Sequence, residues 1–177
     1  MENTPVVREF IELAELDCSS RHERLVVDAV TKKLTDLGFT VREDGTAAKV
    51  EGEAGNVCAY LEGTMEGCVL FAAHLDRVQN GLGIKPQIKD GCLVSDGTTI
   101  LAADDLSGAA AILDGIRRVL ASGKPHPRIE VLFSVCEEIG VQGTKHLDTS
   151  LFEAKYGFVL DRHKTLIGNH TTYVLFK

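Results

Sequence analysis

The sequence lacks any long apolar segment. Its longest uninterrupted apolar run covers residues 68–73, whereas a membrane-spanning helix needs roughly 20 such residues. The amino-terminal segment MENTPVVREF has no positively charged stretch leading into an apolar one, so it does not have the pattern of a secretory signal. We therefore expect a protein that does not enter a membrane and that works in the cytoplasm.

A cluster of basic residues is also missing. Lysine and arginine together number 19, against 26 aspartates and glutamates, and the formal net charge is −7. Nucleic acids and anionic membrane surfaces bind to concentrated positive charge, so we expect neither as a partner. The length of 177 residues is typical of a single domain.

The cysteines form no C-x-x-C pair. They are odd in number and scattered along the chain: Cys18, Cys58, Cys68, Cys92 and Cys136. This pattern favours reduced thiols that pack as small apolar side chains. Cys136 lies beside two glutamates, but it has neither basic neighbours nor a glycine-rich turn, so we interpret it as a core residue rather than a nucleophile.

The chain does contain a regular alternation of helical and strand-like segments. Pro5 is typical of the first turn of a helix, Ser20 with Glu23 has the spacing of a capping box, and Asp90-Gly91 predicts a tight hairpin. The predicted helices cover about residues 6–16, 20–37, 107–122 and 143–147. The predicted strands cover about residues 39–42, 57–61, 69–75, 86–88, 92–94, 128–136, 156–160 and 173–176. This order predicts an α/β three-layer sandwich, with helices on both faces of a mixed, mostly parallel sheet.

Side chains of metal-binding or acid–base type follow several of these strands. They are, in chain order, His74, Asp76, Asp104, Glu137, Glu138 and Asp161. His74, Asp104, Glu138 and Asp161 are separated by 30, 34 and 23 residues, comparable with the ~30 residues of one strand–helix–strand unit. Open α/β sheets bind ligands at the carboxyl ends of their strands, so we expect these side chains to meet at one edge of the sheet.

Carboxylates crowded around one histidine need a cation, because like charges held close together raise one another's pKa. Imidazole mixed with carboxylate favours zinc, with cobalt or manganese as alternatives. His74 and Asp76 lie on the same side of their strand, so Asp76 can orient the His74 ring. The adjacent Glu137 and Glu138 point in different directions, so one can bind metal while the other stays free as a base.

Four motifs carry a family resemblance. AAHLDRV, SDGTTILAADDLSG, VLFSVCEEIG and YGFVLD resemble the successive motifs of the dinuclear zinc exopeptidase family, which includes peptidase T, carboxypeptidase G and the aminoacylases. NGLGIKPQIKDG, followed by DGTTILAADD, is similar to the peptidase T-like branch. The resemblance runs from the first helix to about Asp161, and it implies a zinc metallopeptidase of the aminopeptidase type that acts on short peptides.

The resemblance also implies roles for individual residues. It implies four metal ligands: His74, Asp104, Glu138 and Asp161. Asp104 would be shared by two zinc ions, and Asp76 would orient His74. Glu137 would be the general base, taking a proton from the water that attacks the amide carbonyl.

The sequence departs from the family pattern in several places. Arg77 stands where a small threonine is usual, and Leu106 stands where lysine is common, so we expect an altered pocket rim. Relatives continue through a lid or dimerisation domain and then supply a final histidine ligand, and His170 follows Asp161 too closely to be assigned that role. We therefore interpret residues 1–177 as a partial zinc-peptidase catalytic domain, without the lid and the C-terminal catalytic segment.

Three functions fit these observations. The first is hydrolysis of short peptides by a zinc aminopeptidase. The alternatives are a truncated, non-catalytic metal-binding remnant and an amidohydrolase of acylated amino acids, since the same motifs serve both chemistries. In this interpretation residues 1–177 lack the final histidine ligand and the lid. We therefore expect the chain by itself to have little or no peptidase activity. We also expect uncovered sheet edges to favour self-association.

Overall fold

The computed structural model of the protein describes residues 4–79 and 81–161 and the backbone of residues 172–175. The helices are α1 (Pro5–Ala14), α2 (Arg24–Asp36), α3 (Ala47–Val50), α4 (Ala103–Ala121) and α5 (Gln142–Lys145), with a 3₁₀ helix at Thr149–Leu151. The strands are β1 (Thr40–Glu43), β2 (Val57–Leu61), β3 (Cys68–His74), β4 (Gln87–Lys89), β5 (Cys92–Val94), β6 (Arg128–Ser134), β7 (Tyr156–Val159) and β8 (Thr172–Leu175). The predicted elements lie close to these bounds, whereas α3 and the 3₁₀ helix are absent from the prediction.

Six of the strands form one mixed sheet in the order β1-β2-β6-β3-β7-β8. β3 pairs in parallel with β6 on one side and with β7 on the other. The pairs β1–β2, β2–β6 and β7–β8 are antiparallel. Because β3, β6 and β7 run in the same direction, their carboxyl ends meet at one edge of the sheet. The predicted mixed α/β fold with a parallel centre is confirmed.

The two faces of the sheet carry alternate residues of each strand. In β6, Ile129, Val131 and Phe133 belong to the larger core, together with buried residues of α1, α2 and α4. Leu132 belongs to a smaller cluster on the opposite face, where partly buried side chains from residues 147–152 pack against it. The sheet is therefore the middle layer of three, and the thicker helical layer lies on the α1, α2 and α4 side.

The start of α2 differs from its prediction. The helix begins at Arg24, and Glu23 is the residue before it, without a side-chain capping bond. Ser20 instead donates a hydrogen bond to the carboxylate of Asp76, just after β3. The predicted capping box is therefore wrong, because the serine hydroxyl serves a contact between distant segments rather than the end of a helix.

Three further expectations can be compared with the fold. Asp90 and Gly91 join β4 to β5 with φ values of 51° and 75°, the left-handed pair that a type I′ hairpin turn needs. β8 overlaps the strand predicted at residues 173–176, although Phe176 and His170 lie outside the described residues. Within the described ranges, no helix is long and apolar enough to cross a membrane.

Glu130 is a buried acid that ties β6 to the chain entering β7. Its carboxylate accepts hydrogen bonds from Arg128 Nε at 3.0 Å and from the backbone N–H groups of Glu153 and Ala154 at 3.0–3.2 Å. The Arg128 guanidinium also lies 3.9 Å over the Tyr60 ring. Since buried polar groups without partners are costly, this carboxylate holds the segment before β7 against the sheet.

We expect Glu130→Ala to lower the free energy of unfolding by about 3 kcal/mol, because it removes the acceptor for the N–H groups of Glu153 and Ala154 and for Arg128. Glu62→Ala is the matched control. Glu62 also pairs with Arg128 but is mostly exposed, and exposed pairs contribute about 0–1 kcal/mol. Urea denaturation of both variants measures the difference, and equal losses would contradict the role given to Glu130.

Candidate metal centre

Three side chains with metal-binding atoms meet at the carboxyl edge of the parallel strands. His74 is the last residue of β3, Glu138 follows β6, and Asp104 lies near the start of α4. Their candidate ligand atoms all lie within 4.8 Å of one another. His74 is buried, Glu138 is half-buried and Asp104 is exposed, so the group lies where the core opens to solvent.

The start of α4 is irregular at the point where it presents Asp104. Ala102, the residue before the helix, has a φ of 59°. Asp104 and Asp105 have non-helical backbone angles although they lie within the bounds of α4. Regular helical geometry therefore starts after Asp105, and Asp104 Oδ1 lies 3.1 Å from His74 Nε2. This agrees with the helix start predicted near Ser107.

The His74 ring is held by Asp76 on its Nδ1 side. The Nδ1–H group donates to the backbone carbonyl oxygen of Asp76 at 3.0 Å, and Asp76 Oδ1 lies 3.5 Å from the same nitrogen. Burial lowers the pKa of His74, but the carboxylates of Asp76, Asp105 and Asp104 together outweigh burial and raise it to about 10. Nε2 is left facing Asp104, which is the orientation that a metal-binding histidine needs. Asp76 therefore lies on the Nδ1 side of His74.

Asp76 also connects the ends of two strands through its buried carboxylate. Its Oδ1 accepts from the N–H of Glu137 at 2.8 Å, and its Oδ2 accepts from the N–H of Glu138 at 3.1 Å. The Ser20 hydroxyl donates to Oδ2 at 2.5 Å. Burial raises the pKa of Asp76, but hydrogen bonds from His74 and Ser20 hold that pKa below its usual range. Asp76 therefore stays ionised and orders the turn that contains both glutamates.

The two adjacent glutamates have different surroundings. Glu138 belongs to the group with His74 and Asp104, whereas Glu137 Oε2 lies 3.9 Å from His74 Nε2. Burial raises the pKa of both glutamate carboxyl groups, and nearby acids raise it further, while His74 lowers it. A raised pKa brings a carboxylate closer to the range in which it can act as a base near neutral pH.

Asp161 lies at the same edge but outside the group of three. It follows β7 and is half-buried. Together with His74 and Glu137, it borders a cavity of about 300 Å³ whose remaining lining is mostly apolar. Its negative charge contributes to the raised pKa of Glu137. The structure therefore places this predicted ligand beside the site, without including it in the 4.8 Å group found among the described residues.

Asp105 is a buried acid that the sequence-based assignment of ligands does not include. Its Oδ1 accepts from the Gly108 N–H at 3.3 Å, and within the described ranges its Oδ2 has no hydrogen-bond partner. Burial raises the pKa of Asp105 to about 8; His74 opposes this shift and Asp161 adds to it. A Cβ atom at Gly108 would lie 2.4 Å from Asp105 Oδ1. Gly108, three residues after Asp105, is therefore the feature of the sequence that could have indicated this contact.

Arg77 and Leu106 are fully buried, so the expectation that they alter the pocket rim is wrong. The Arg77 guanidinium donates to the backbone carbonyl oxygens of Ala14 at 3.0 Å and of Gly81 at 3.2 Å. It thereby satisfies a carbonyl group at the end of α1, which has no partner within the helix. Leu106 lies in the larger core. Both residues lie in the interior and do not border the pocket.

The donor set fits a divalent cation. Six carboxyl groups lie around the single imidazole: Asp76, Asp104, Asp105, Glu137, Glu138 and Asp161. Burial and mutual repulsion raise the pKa of Asp105, Glu137 and Glu138, so a positive charge placed among them would be stabilised. Imidazole together with carboxylate suits zinc, and cobalt or manganese can bind to similar ligands.

Known sequences similar to this chain include peptidases. Residues 56–172 match peptidase family M28. The chain is 38% identical over 157 residues to the uncharacterized protein YqjE of Bacillus subtilis and 36% identical over 194 residues to peptidase T of Salmonella arizonae. Each alignment covers 88% of this chain but 42% and 47% of the relative, respectively. The chain thus spans less than half the length of these proteins.

Solved structures of peptidases share the fold. The aminopeptidase PepT of Bacillus cereus is 44% identical, with a TM-score of 0.87. A tripeptidase of Staphylococcus aureus is 32% identical, with a TM-score of 0.86. Both alignments cover 89% of this chain and 43% of the solved chain. The predicted resemblance to peptidase T-like enzymes is confirmed, and since the match extends over residues 56–172, the chain belongs to peptidase family M28.

Proposed function

We propose that the chain contains the catalytic site for metal-dependent hydrolysis of amide bonds in short peptides, in the manner of a tripeptide aminopeptidase. The observation that supports this most directly is the group of His74, Asp104 and Glu138, whose ligand atoms lie within 4.8 Å of one another. Glu137 lies beside this group without belonging to it. Hydrolysis of this kind needs metal ligands and a separate base, and these four residues would supply both.

Zinc is the cation that we propose for this site, with cobalt or manganese as substitutes. His74, Asp104 and Glu138 would bind it. Asp161 would add a ligand from the end of β7, and Asp104 would be shared between two ions, as the resemblance implies. A bound cation of this kind polarises an amide carbonyl and lowers the pKa of water. Asp76 would keep the His74 ring in its binding orientation through the contacts at Nδ1.

Glu137 is the general base in this proposal. Its carboxylate is half-buried next to the ligand group, and burial raises its pKa. A carboxylate with a raised pKa accepts a proton from an attacking water more readily and can return that proton to the leaving amine. The backbone N–H of Glu137 is bound by Asp76, so the residue that orients His74 also places the base.

Short peptides are the proposed substrates because similar proteins are named peptidase T, aminopeptidase and tripeptidase. A non-catalytic metal-binding protein and an amidohydrolase of acylated amino acids are the alternatives, since the same ligands serve all three. Cytoplasmic location and self-association through free sheet edges are further parts of the proposal. In the sheet, β1 is an edge strand, and edge strands present unpaired backbone groups.

We expect Glu138→Gln to weaken zinc binding by more than about 100-fold, because removal of a direct ligand exceeds the 10–100-fold effect typical of outer partners. Glu137→Gln should leave the zinc affinity largely unchanged, because Glu137 is proposed as a base and not as a ligand. Competition with a chromophoric chelator measures both affinities. Equal losses in the two variants would contradict this division of roles.

We expect zinc to raise the melting temperature of the chain by about 5–10 °C at a free concentration 100 times the Kd. Binding to the folded state alone contributes about 2.7 kcal/mol at this concentration, and 1 kcal/mol shifts a domain of this size by about 2–4 °C. Calorimetry with zinc and then with excess chelator measures the shift. An unchanged melting temperature in the presence of zinc would contradict the proposed site.

We expect the zinc-loaded chain to hydrolyse tripeptides slowly, and Glu137→Gln to lower the metal-dependent rate by about 100-fold or more, since general bases contribute 10²–10⁴. Glu66→Gln is the matched control, because it makes the same chemical change at an exposed position. Product release from tripeptides and from acylated amino acids should be followed side by side. Zinc binding without hydrolysis would favour the non-catalytic alternative, and faster cleavage of acylated amino acids would favour the amidohydrolase.

A further inference from the structure

The loop between α1 and α2 reaches the candidate site from a distant part of the chain. The hydroxyl of Ser20, in this loop, donates a hydrogen bond to Asp76 Oδ2 at 2.5 Å. Three residues later, Glu23 is fully buried, and its Oε1 accepts from the backbone N–H of Cys136 at 3.1 Å. One short loop therefore contacts Asp76, two residues after His74, and Cys136, two residues before Glu138.

These contacts complete a backbone network in the turn after β6. Buried carboxylates accept hydrogen bonds from three consecutive backbone N–H groups. Glu23 accepts from the N–H of Cys136, and Asp76 accepts from those of Glu137 and Glu138. Cys136 has a φ of 55°, in the left-handed region that is unfavourable for residues other than glycine. The conformation of the turn therefore depends on both carboxylates keeping their positions.

The backbone of the Ser20 loop is held in place by hydrogen bonds within the loop and by one from Glu53. Glu23 Oε1 also accepts from the Arg21 N–H at 2.9 Å, and the carbonyl oxygen of Arg21 accepts from the Glu53 N–H at 2.9 Å. The His22 N–H donates to the carbonyl oxygen of Ser19 at 2.9 Å. A donor on an ordered backbone loses little entropy when it forms its bond, so Ser20 is well placed to set the rotation of the Asp76 carboxylate.

We propose that Ser20 is a positioning residue of the metal centre, acting through Asp76. The two oxygens of the Asp76 carboxylate contact different groups. Oδ2 binds Ser20 and the Glu138 N–H, while Oδ1 binds the Glu137 N–H and faces His74 Nδ1. Without the serine hydroxyl the carboxylate can rotate, and this rotation displaces the His74 ring and the turn that carries Glu138. The effect on metal affinity rests on the proposed function, whereas the effect on the turn does not.

Three variants test this role: Ser20→Ala, Ser20→Thr and Ser19→Ala. Ser20→Ala removes the donor, and Ser20→Thr retains a hydroxyl at the same position. Ser19→Ala removes a neighbouring hydroxyl from the same loop, at a residue that is half-buried like Ser20. Comparison among the three separates the bond to Asp76 from a general effect of altering the loop.

The first measurement uses the metal-free chain. Amide hydrogen exchange followed by NMR should be about fivefold faster at Glu137 and Glu138 in Ser20→Ala, because the acceptor of these two N–H groups is no longer held. Ser20→Thr and Ser19→Ala should exchange like the unmodified chain at these amides. Unchanged exchange at both amides in Ser20→Ala would overturn the proposal.

The second measurement uses added zinc and cobalt. Ser20→Ala should weaken zinc binding by about threefold to tenfold, at or below the lower end of the range for outer partners, and should alter the visible absorption of the cobalt-loaded chain. Ser20→Thr should restore both. An unmodified chain that fails to bind zinc would contradict the proposed function, while faster exchange at Glu137 and Glu138 in Ser20→Ala would still support the positioning role. Normal zinc binding and an unchanged cobalt spectrum in Ser20→Ala would overturn the role of Ser20 at the metal centre, but not its role in ordering the turn.

Discussion

The buried carboxylate of Asp76 is the interaction on which the candidate site depends. It accepts hydrogen bonds from the Ser20 hydroxyl and from the N–H groups of Glu137 and Glu138, and it lies against His74 Nδ1. A buried carboxylate without such donors would take up a proton. Because charge-assisted hydrogen bonds are short and strong, one ionised group orders three segments that are far apart in the sequence.

The register of the parallel strands brings these segments level with one another. His74 pairs with Ser134, the last residue of β6, so β3 and β6 end at the same height. The turn that contains Glu137 and Glu138 therefore begins beside His74, within reach of Asp76. β7 pairs with β3 in the same direction, which places Asp161 at this edge as well. An antiparallel pairing at either position would have sent the corresponding acid to the opposite edge.

Four of the buried or half-buried acids fall into two groups by their surroundings. Glu130 and Asp76 have hydrogen-bond donors on both carboxylate oxygens, and both hold separate segments together. Asp105 and Glu137 face the ligand group instead, and their pKa values are raised by burial. The fold supplies hydrogen-bond donors to the acids that order the structure. At the site the carboxylates outnumber the one positive charge of His74, which is the electrostatic condition that favours a bound cation.

The sequence by itself determined the order of strands and helices, the parallel centre of the sheet and the candidate residues His74, Asp104, Glu137 and Glu138. Apolar periodicity reports local burial, and strand ends that share an edge follow from the α/β pattern. Only the tertiary structure decided that Ser20 bonds to Asp76 instead of capping α2, that Arg77 is buried at the end of α1, and that Asp161 stays outside the 4.8 Å group. These features are contacts between distant segments, and their geometry depends on how the loops pack, which residue spacing along the chain does not encode.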